Sequence, residues 1–340
     1  MSLSTTNTFI KQLEELQNKT NDAELHWYIN EIIIPDIPQI IETLTMCLNL
    51  LIYNSPQEPN EKDRVEKGPE IKLPISSTKS ETLKGIIVRD GPYITNLNLS
   101  IKEPHINKHI HKLSLKKPIL LEQIIICQNS IENSISLVNK ILKQVDITCD
   151  FHLSLISIFK NLLINIQSAK TNLQLPTDPN LVFPINITNG EDYEPILPPI
   201  MSLDFYISQA EICLDLKNLH RINEAPWCEI DDNGKSYVDK LRDEMKLPKS
   251  SQPSINETNK QVDKVLEKPK NNNNFLSFLK HRHEPMEYIT RCITYNNMVV
   301  MVNCKIEVSS EDPILVSCFT KLDSIDYLIS GYLNSINNLM

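Results

Sequence analysis

A long apolar seam in the middle of the chain constrains the fold more than any other feature. Between residues 120 and 145, apolar residues recur at alternating steps of four and three, with one polar position at Ser134. The seam consists of Leu120, Ile124, Cys127, Ile131, Ser134, Val138, Ile141 and Val145. This spacing predicts a long α-helix with one face that must be buried.

The same spacing resumes after a short break at residues 146–150. Its members are Leu155, Phe159, Leu162, Ile166, Ala169 and Leu173. Two helices of this kind, joined by a few residues, predict an antiparallel helical hairpin.

Both ends of the chain carry stripes of the same kind. The N-terminal stripe is Ile37, Ile41, Leu44, Leu48 and Leu51, continued upstream by Leu25, Ile29 and Ile32. Pro35 and Pro38 predict a break or kink, with Asp36 as the N-cap of the second piece. The C-terminal stripe is Leu315, Cys318, Leu322, Ile325, Ile329, Tyr332, Ile336 and Leu339. Asp312 and Pro313 before it are a typical cap and first-turn pair.

Four helical segments, at about 22–53, 119–146, 151–173 and 313–339, therefore carry stripes that need burial. One antiparallel four-helix bundle is the most economical arrangement. The alternative left open is that one of these helices pairs with another protein.

Between the helices, the apolar period changes to that of β-strands. A strand with Leu97, Leu99 and Ile101 on one face is predicted after a turn at Asp90-Gly91. The next strand is expected to place four residues on one face: His109, His111, Leu113 and Leu115. Residues 203–219 alternate with a change of phase that predicts a bulge near Ser208–Gln209. Further strands are expected at 287–295 and 297–308, the latter near the centre of a sheet.

The predicted fold class is α+β, an elongated chain in which an antiparallel β domain is inserted between the helices of the bundle. The bundle domain is assigned to residues 1–54, 117–175 and 308–340, and the β domain to 70–116, 176–228 and 275–307. Residues 229–274 are rich in charged residues, Asn, Ser and Pro. We predict a disordered insert there, with a transient helix at 235–246, because such a composition buries too little apolar area.

Composition excludes several functions. A net charge of −9 disfavours nucleic-acid binding. The six glycines cannot form G-x-G-x-x-G, a P-loop or G-x-S-x-G, and no two of the eight cysteines lie closer than twelve residues. No catalytic or cofactor site is predicted. No apolar run is long enough to span a membrane, and the first residues lack the apolar stretch of a signal peptide, so a cytoplasmic location is expected.

The stretch PHINKHIHKLSL, residues 104–115, raises the question of a metal site. His109 and His111 would supply two ligands, and His281 and His283 two more, but no spacing brings the pairs together. We therefore predict no metal centre and interpret these histidines as exposed.

A basic strip crosses the same region, consisting of Lys108, Lys112, Lys116 and Lys117. It is either a solvated edge or a contact for an acidic partner or lipid head groups. Trp27, beside Leu25 and Ile29, is expected to pack in the core, with an exposed anchor for a partner as the alternative. The possible partner contacts are therefore Trp27 and the strip with its histidines, His109 and His111.

Several segments resemble one known family in order and character. They are ELHWYINEII (24–33), KGIIVRDGPYITNLNLSIK (84–102), KKPILLEQIIICQNSIENSISLV (116–138), LQLPTDPNLVF (173–183) and LPPIMSLDFYISQAEICLDLKNLH (197–220). The family is Rogdi, which includes the fungal second subunit of RAVE, the regulator of the vacuolar and endosomal H⁺-ATPase. The family name is linked to a leucine zipper, but seam positions such as Cys127, Ser134 and Cys318 favour an internal bundle.

The resemblance implies a non-enzymatic assembly factor without cofactors. Its expected partners are a large β-propeller scaffold subunit, a Skp-type adaptor and the peripheral sector of the V-ATPase, which rejoins the membrane sector. The implied location is cytoplasmic and peripheral on vacuolar and endosomal membranes, through these partners. Two other hypotheses stay open: a coiled-coil adaptor in vesicle traffic, and a metal-binding enzyme that uses the histidines.

Overall fold

A computed structural model describes residues 3–77, 81–144, 151–246 and 284–340. The helices are α1 (Leu3–Tyr28), α2 (Ile34–Tyr53), α3 (Pro104–Asn107), α4 (Glu122–Gln144), α5 (Phe151–Gln174), α6 (Tyr237–Lys246), α7 (Pro285–Arg291) and α8 (Pro313–Leu339). One π-helical turn, Ile29–Ile33, joins α1 to α2.

The strands form two antiparallel sheets, which confirms the predicted α+β class. The first sheet contains β1 (Ile71–Ser76), β2 (Leu83–Asp90), β3 (Tyr93–Ile101), β4 (Lys112–Leu115), β5 (Ile119–Leu120) and β6 (Tyr193–Glu194). Its order is β1-β2-β3-β4-β6, with β5 paired to β3. The second sheet contains β7 (Met201–Ser208), β8 (Glu211–Arg221), β9 (Cys292–Tyr295) and β10 (Met298–Glu311), in the order β7-β8-β10-β9.

The four long helices with apolar stripes bury them inside the chain. Every predicted seam residue of α5 is buried, and so are those of α4 from Ile124 to Ile141. The buried Ser134 hydroxyl donates to the Ser130 carbonyl at 2.8 Å, so the polar seam position is satisfied within its own helix. Leu120 is an exception: it lies in β5 and is 41% exposed. Val145 lies outside the described residues.

Polar side-chain contacts join these helices. On α4 and α5, the hydroxyls of Ser130 and Ser168 are 3.3 Å apart. On α5 and α8, Lys170 binds Asp323 at 2.5 Å and Asp326 at 2.7 Å. The helix α8 also packs on α2, and α2 packs on α4.

The proline region of the first long helix differs from the prediction. Asp36 is not an N-cap, because the helix continues through Pro35 and Pro38 as α2. The π-helical turn changes the helix register just before Pro35, with the Ile34 N–H bonded to the Ile29 carbonyl. The buried stripe of α2 differs from the predicted one and consists of Ile37, Ile40, Leu44, Cys47, Leu50 and Leu51.

A buried ion pair fixes the end of α2, the β2–β3 turn and the start of α8. Arg89 contacts both carboxylate oxygens of Asp312, at 2.6 and 3.1 Å, and both side chains are fully buried. Asp312 also caps α8 as predicted, accepting from the backbone N–H groups of Ile314 and Leu315. The remaining Arg89 nitrogen donates to Asn54, which follows α2, and to the Gly91 carbonyl.

Residues 201–221 form a hairpin, so the predicted bulge near Ser208–Gln209 is wrong. Gln209 and Ala210 both have positive φ, 53° and 59°, as a type I′ turn requires. The reversal explains the change of phase, since residues whose numbers sum to 419 face each other, as Ser208 and Glu211 do. Gln-Ala is not a typical sequence for this turn, so the sequence pattern did not predict a turn here.

The first part of the predicted disordered insert is folded. Residues 229–236 lead directly into α6, and Val238 and Leu241 of that helix are buried in a second core with Trp227 and Tyr288. Tyr288 belongs to α7, where the sequence predicted strand. The transient helix predicted at 235–246 corresponds to α6, which is folded, whereas the seven residues of α7 gave no clear helical period. Residues 247–274 lie outside the described residues.

Candidate functional site

The basic segment before α4 is held on the surface by two buried isoleucines. Ile106 and Ile110 are 0% and 2% exposed, while the lysine and histidine side chains around them face outward. The exposed residues are His105, Lys108, His109, His111 and Lys112. Asn218 of the second sheet donates to the His105 carbonyl at 2.7 Å, which ties the segment to both sheets.

The predicted register of this segment is wrong. Residues 104–107 form the helical turn α3, and β4 begins only at Lys112. His109 and His111 therefore do not share a strand face with Leu113, which is buried. Alternation alone misassigned them because a helical turn that buries Ile106 and Ile110 mimics a strand pattern over so few residues.

The metal hypothesis gains no geometric support. His281 and His283 lie outside the described residues, and within the described ranges no group of three or more His, Cys, Asp or Glu side chains is placed to hold a metal ion.

After β4 the strip continues along the connection to α4. Lys116 and Lys117 are exposed, and the Lys117 ammonium lies 3.2 Å from the Asp192 carboxylate. The Lys116 N–H donates to the Asp192 carbonyl at 2.8 Å. All four lysines of the strip, Lys108, Lys112, Lys116 and Lys117, are exposed.

An open groove of about 680 Å³ lies beside Lys112 on the outer face of the first sheet. Its floor is a cross-strand row formed by Ile86, Asn98, Ser114 and Glu194. Ile86 is 48% exposed, and Lys84 and Lys112 border the row. Sequence reasoning missed this groove, because strand pairing decides which outward residues become neighbours.

Trp27 is exposed, so its expected core packing is wrong. Its neighbours Leu25 and Ile29 are buried, whereas Trp27 is 58% exposed. Trp27 belongs to α1, which packs against α8, so it lies in a different part of the fold from the basic strip. The alternative, an aromatic anchor for a partner, stays a prediction.

A cluster of ion pairs lies on the second sheet, and one of its buried oxygens, Asp215 Oδ1, has no hydrogen-bond partner among the described residues. The Lys217 ammonium lies 2.6 Å from Asp215 and 3.3 Å from Asp204, above the Phe183 ring. Burial raises the pKa of the Asp204 carboxyl, against the attraction of Lys217. Asn186 also donates to Asp204, so this group has the partners of a structural ion cluster.

Glu307 at the margin of this cluster predicts a pH dependence. Lys305 and the Tyr206 hydroxyl, at 2.8 and 2.6 Å, hold the pKa of Glu307 below its usual value. A lowered pKa adds stability above the unfolded-state pKa of about 4.3, and that stability is lost as pH falls through the folded-state pKa. Glu307→Gln is expected to cost up to about 1 kcal/mol at neutral pH, since the site is largely exposed.

Urea unfolding of both proteins across acidic pH measures this effect. The gap in unfolding free energy between the natural chain and Glu307→Gln should narrow with acidification. A gap that widens with acidification would contradict the assignment.

The comparison with known proteins now identifies the family. A family model described as Rogdi leucine zipper containing protein matches residues 24–337, more than half of the chain, so the chain belongs to this family. The chain is also 26% identical over 336 residues to Regulator of V-ATPase in vacuolar membrane protein 2 of Saccharomyces cerevisiae (strain ATCC 204508 / S288c). That alignment covers 92% of this chain and 90% of the yeast protein. The resemblance drawn from the sequence segments is thereby confirmed.

Proposed function

We propose that this chain is a non-catalytic subunit of a RAVE-type complex that promotes assembly and reassembly of the V-ATPase peripheral sector with its membrane sector. One observation carries the proposal: similarity over nearly the full length of a yeast protein named as a regulator of V-ATPase in the vacuolar membrane. Within the described ranges, no helix is long and apolar enough to cross a membrane.

The mechanism we propose is binding alone. A subunit that holds others in an assembly-competent geometry lowers the entropic cost of their association. Its partners are the β-propeller scaffold subunit, the Skp-type adaptor and the V-ATPase peripheral sector. These partners bring it from the cytoplasm to vacuolar and endosomal membranes.

We also propose that α2, α4, α5 and α8 form one antiparallel four-helix bundle that serves as the rigid scaffold. Contacts of α2 with α4 and α8, and of α5 with α4 and α8, support this arrangement. Burial of the heptad stripes within one chain also argues against the coiled-coil adaptor, because an intermolecular zipper needs an exposed stripe.

The surface we assign to partner contact is the basic strip with the adjacent groove. The chain carries a net charge of −9, so a local group of exposed lysines is suited to an acidic partner. Trp27, with its exposed ring, is proposed as a second contact on another face.

Charge reversal in the strip tests this assignment. In a strain lacking the chain, Lys108→Glu/Lys112→Glu/Lys116→Glu should restore several-fold less peripheral sector on vacuolar membranes than the natural chain. Unfavourable contact with an acidic partner is the reason. The measurement is quantitative immunoblotting of isolated vacuoles, with total subunit levels as reference.

A matched control carries the same charge change elsewhere: Lys140→Glu/Lys143→Glu/Lys160→Glu, at exposed positions on α4 and α5. This control should restore normal assembly. Normal assembly in the strain lacking the chain would overturn the proposed function, whereas equal activity of both triple variants would overturn only the contact surface.

A further inference from the structure

A second cavity, of about 220 Å³, opens at the outer edge of β7. Three stretches line it: residues 119–123 at the start of α4, residues between 180 and 193, and β7 itself at Leu203 and Phe205. Leu120 and Ile187 at its lining are 41% and 51% exposed, so the cavity is reachable from solvent.

The backbone of β7 presents a regular series of groups to this edge. The two-residue turn makes Ser208 and Glu211 a hydrogen-bonded pair, so Leu203, Phe205 and Ile207 point their N–H and C=O groups away from β8. Two side chains occupy this edge. Thr188 accepts from the Leu203 N–H at 2.9 Å and donates to its carbonyl at 3.1 Å.

Gln123 does the same for Ile207 with its carboxamide. Its oxygen accepts from the Ile207 N–H at 2.7 Å, and its nitrogen donates to the Ile207 carbonyl at 2.9 Å. Phe205 lies between these two occupied positions. No described residue makes a hydrogen bond to its N–H or C=O on this edge. Phe205 therefore offers one donor and one acceptor to the cavity.

The occupied positions at Leu203 and Ile207 limit which groups can bind at Phe205. An added β-strand would need the edge groups of Leu203 and Ile207 as well, each about 7 Å from Phe205. Thr188 and Gln123 already take them. A primary carboxamide instead places an N–H and a C=O side by side, and Gln123 demonstrates that geometry on the same strand.

We propose that this cavity binds the carboxamide of an Asn or Gln side chain of a partner protein, hydrogen-bonded to the N–H and C=O of Phe205. A carboxylate has no N–H for the carbonyl, and the carboxylate of Glu122 at the lining opposes a negative charge. Leu120 and Ile187 favour apolar residues beside the carboxamide in the partner sequence. The inference rests on the proposed function, since it names one contact by which the chain binds a partner.

Backbone NMR of protein labelled with ¹⁵N-phenylalanine tests it directly, because the chain has only eight phenylalanines. The Phe205→Leu variant identifies the signal of Phe205 by its loss. The probes are acetyl-Leu-Gln-Leu N-methylamide and its Glu counterpart. The Gln side chain is the only primary carboxamide of the first peptide, and the second peptide has none. The Gln peptide should shift the Phe205 signal saturably and bind about tenfold more tightly than the Glu peptide. Absence of a Phe205 shift, or equal binding of both peptides, would overturn the proposal.

Two exposed isoleucines provide a matched pair of variants. Ile187→Asp adds a charge to the cavity lining and should weaken the Gln peptide about tenfold. Ile185→Asp, at a residue 54% exposed that does not line the cavity, should leave its affinity unchanged. Equal effects of the two variants would contradict this binding site. The titration uses the isolated chain, so its failure and the failure of vacuolar assembly are separate results.

Discussion

Arg89→Met is expected to lower the free energy of unfolding by about 3–5 kcal/mol, because it leaves a fully buried carboxylate without its charge partner. Asp312 would keep its two helix-capping hydrogen bonds but lose both contacts from the guanidinium. Urea unfolding followed by far-UV circular dichroism measures the loss. The change is expected to loosen the junction of α2, the β2–β3 turn and α8 together.

A control and a rescue make this prediction specific. Lys84→Met removes a cation from the exposed pair Lys84–Glu81, and should cost at most about 1 kcal/mol. The double variant Arg89→Met/Asp312→Asn should be more stable than Arg89→Met alone, because Asn keeps the capping oxygen without a buried charge. A loss for Arg89→Met no larger than for Lys84→Met would show that the buried pair adds nothing.

Trp227→Ala is expected to cost about 3–5 kcal/mol, the range for removal of a buried aromatic side chain. Trp227 is 4% exposed and stacks on Tyr288, with ring centroids 4.8 Å apart. Because the second core is small, the variant should lose hydrogen-exchange protection in α6 and α7 before it does in the four long helices.

The other tryptophan of the chain is the matched control. Trp27→Ala, at a residue 58% exposed, should change the unfolding free energy by no more than about 0.5 kcal/mol. Hydrogen exchange with mass spectrometry, read on peptides of residues 237–246 and 285–291, distinguishes local from global effects. Retained protection of α6 in Trp227→Ala would contradict the role of the second core.

The long helices were predictable because their signal repeats. The seam of α5 comprises six residues in steps of four and three, and all six are buried. The cap at Asp312 was also predictable from the sequence, and so was the strand that buries Leu97, Leu99 and Ile101. In each of these elements, the residues that define the structure lie within a few positions of one another.

Short elements escaped for the opposite reason. The helices α3 and α7 contain four and seven residues, too few for a helical period to differ from strand alternation. The turn at Gln209–Ala210 lacks the Asn-Gly or Asp-Gly pair that marks such turns. The charged composition of residues 229–246 predicted disorder with only a transient helix at 235–246, because the packing of Val238 and Leu241 on Trp227 is not visible in the sequence.

Some features of the candidate site were predictable from the sequence, and others were not. Its charge was visible in the sequence, as the lysines between 108 and 117. The groove beside Lys112 and the open edge at Phe205 were not visible, because each depends on side chains from distant segments. In the sequence, Gln123 is a single polar residue at the start of a helix. Only the packing of the chain brings it to the backbone of Ile207, which lies 84 positions later.

Local periodicity and composition were thus sufficient to predict the long helices, most of their buried stripes, the exposed lysines of the basic strip and the family resemblance. Tertiary structure alone decided that Arg89 meets Asp312 across 223 positions, that Trp27 faces solvent while Trp227 is buried, and that the edge of β7 is left open at Phe205. The physical reason is that burial and hydrogen-bond satisfaction depend on which distant segments come together. That pairing is set by the packing of the whole chain, and no repeat in the sequence records it.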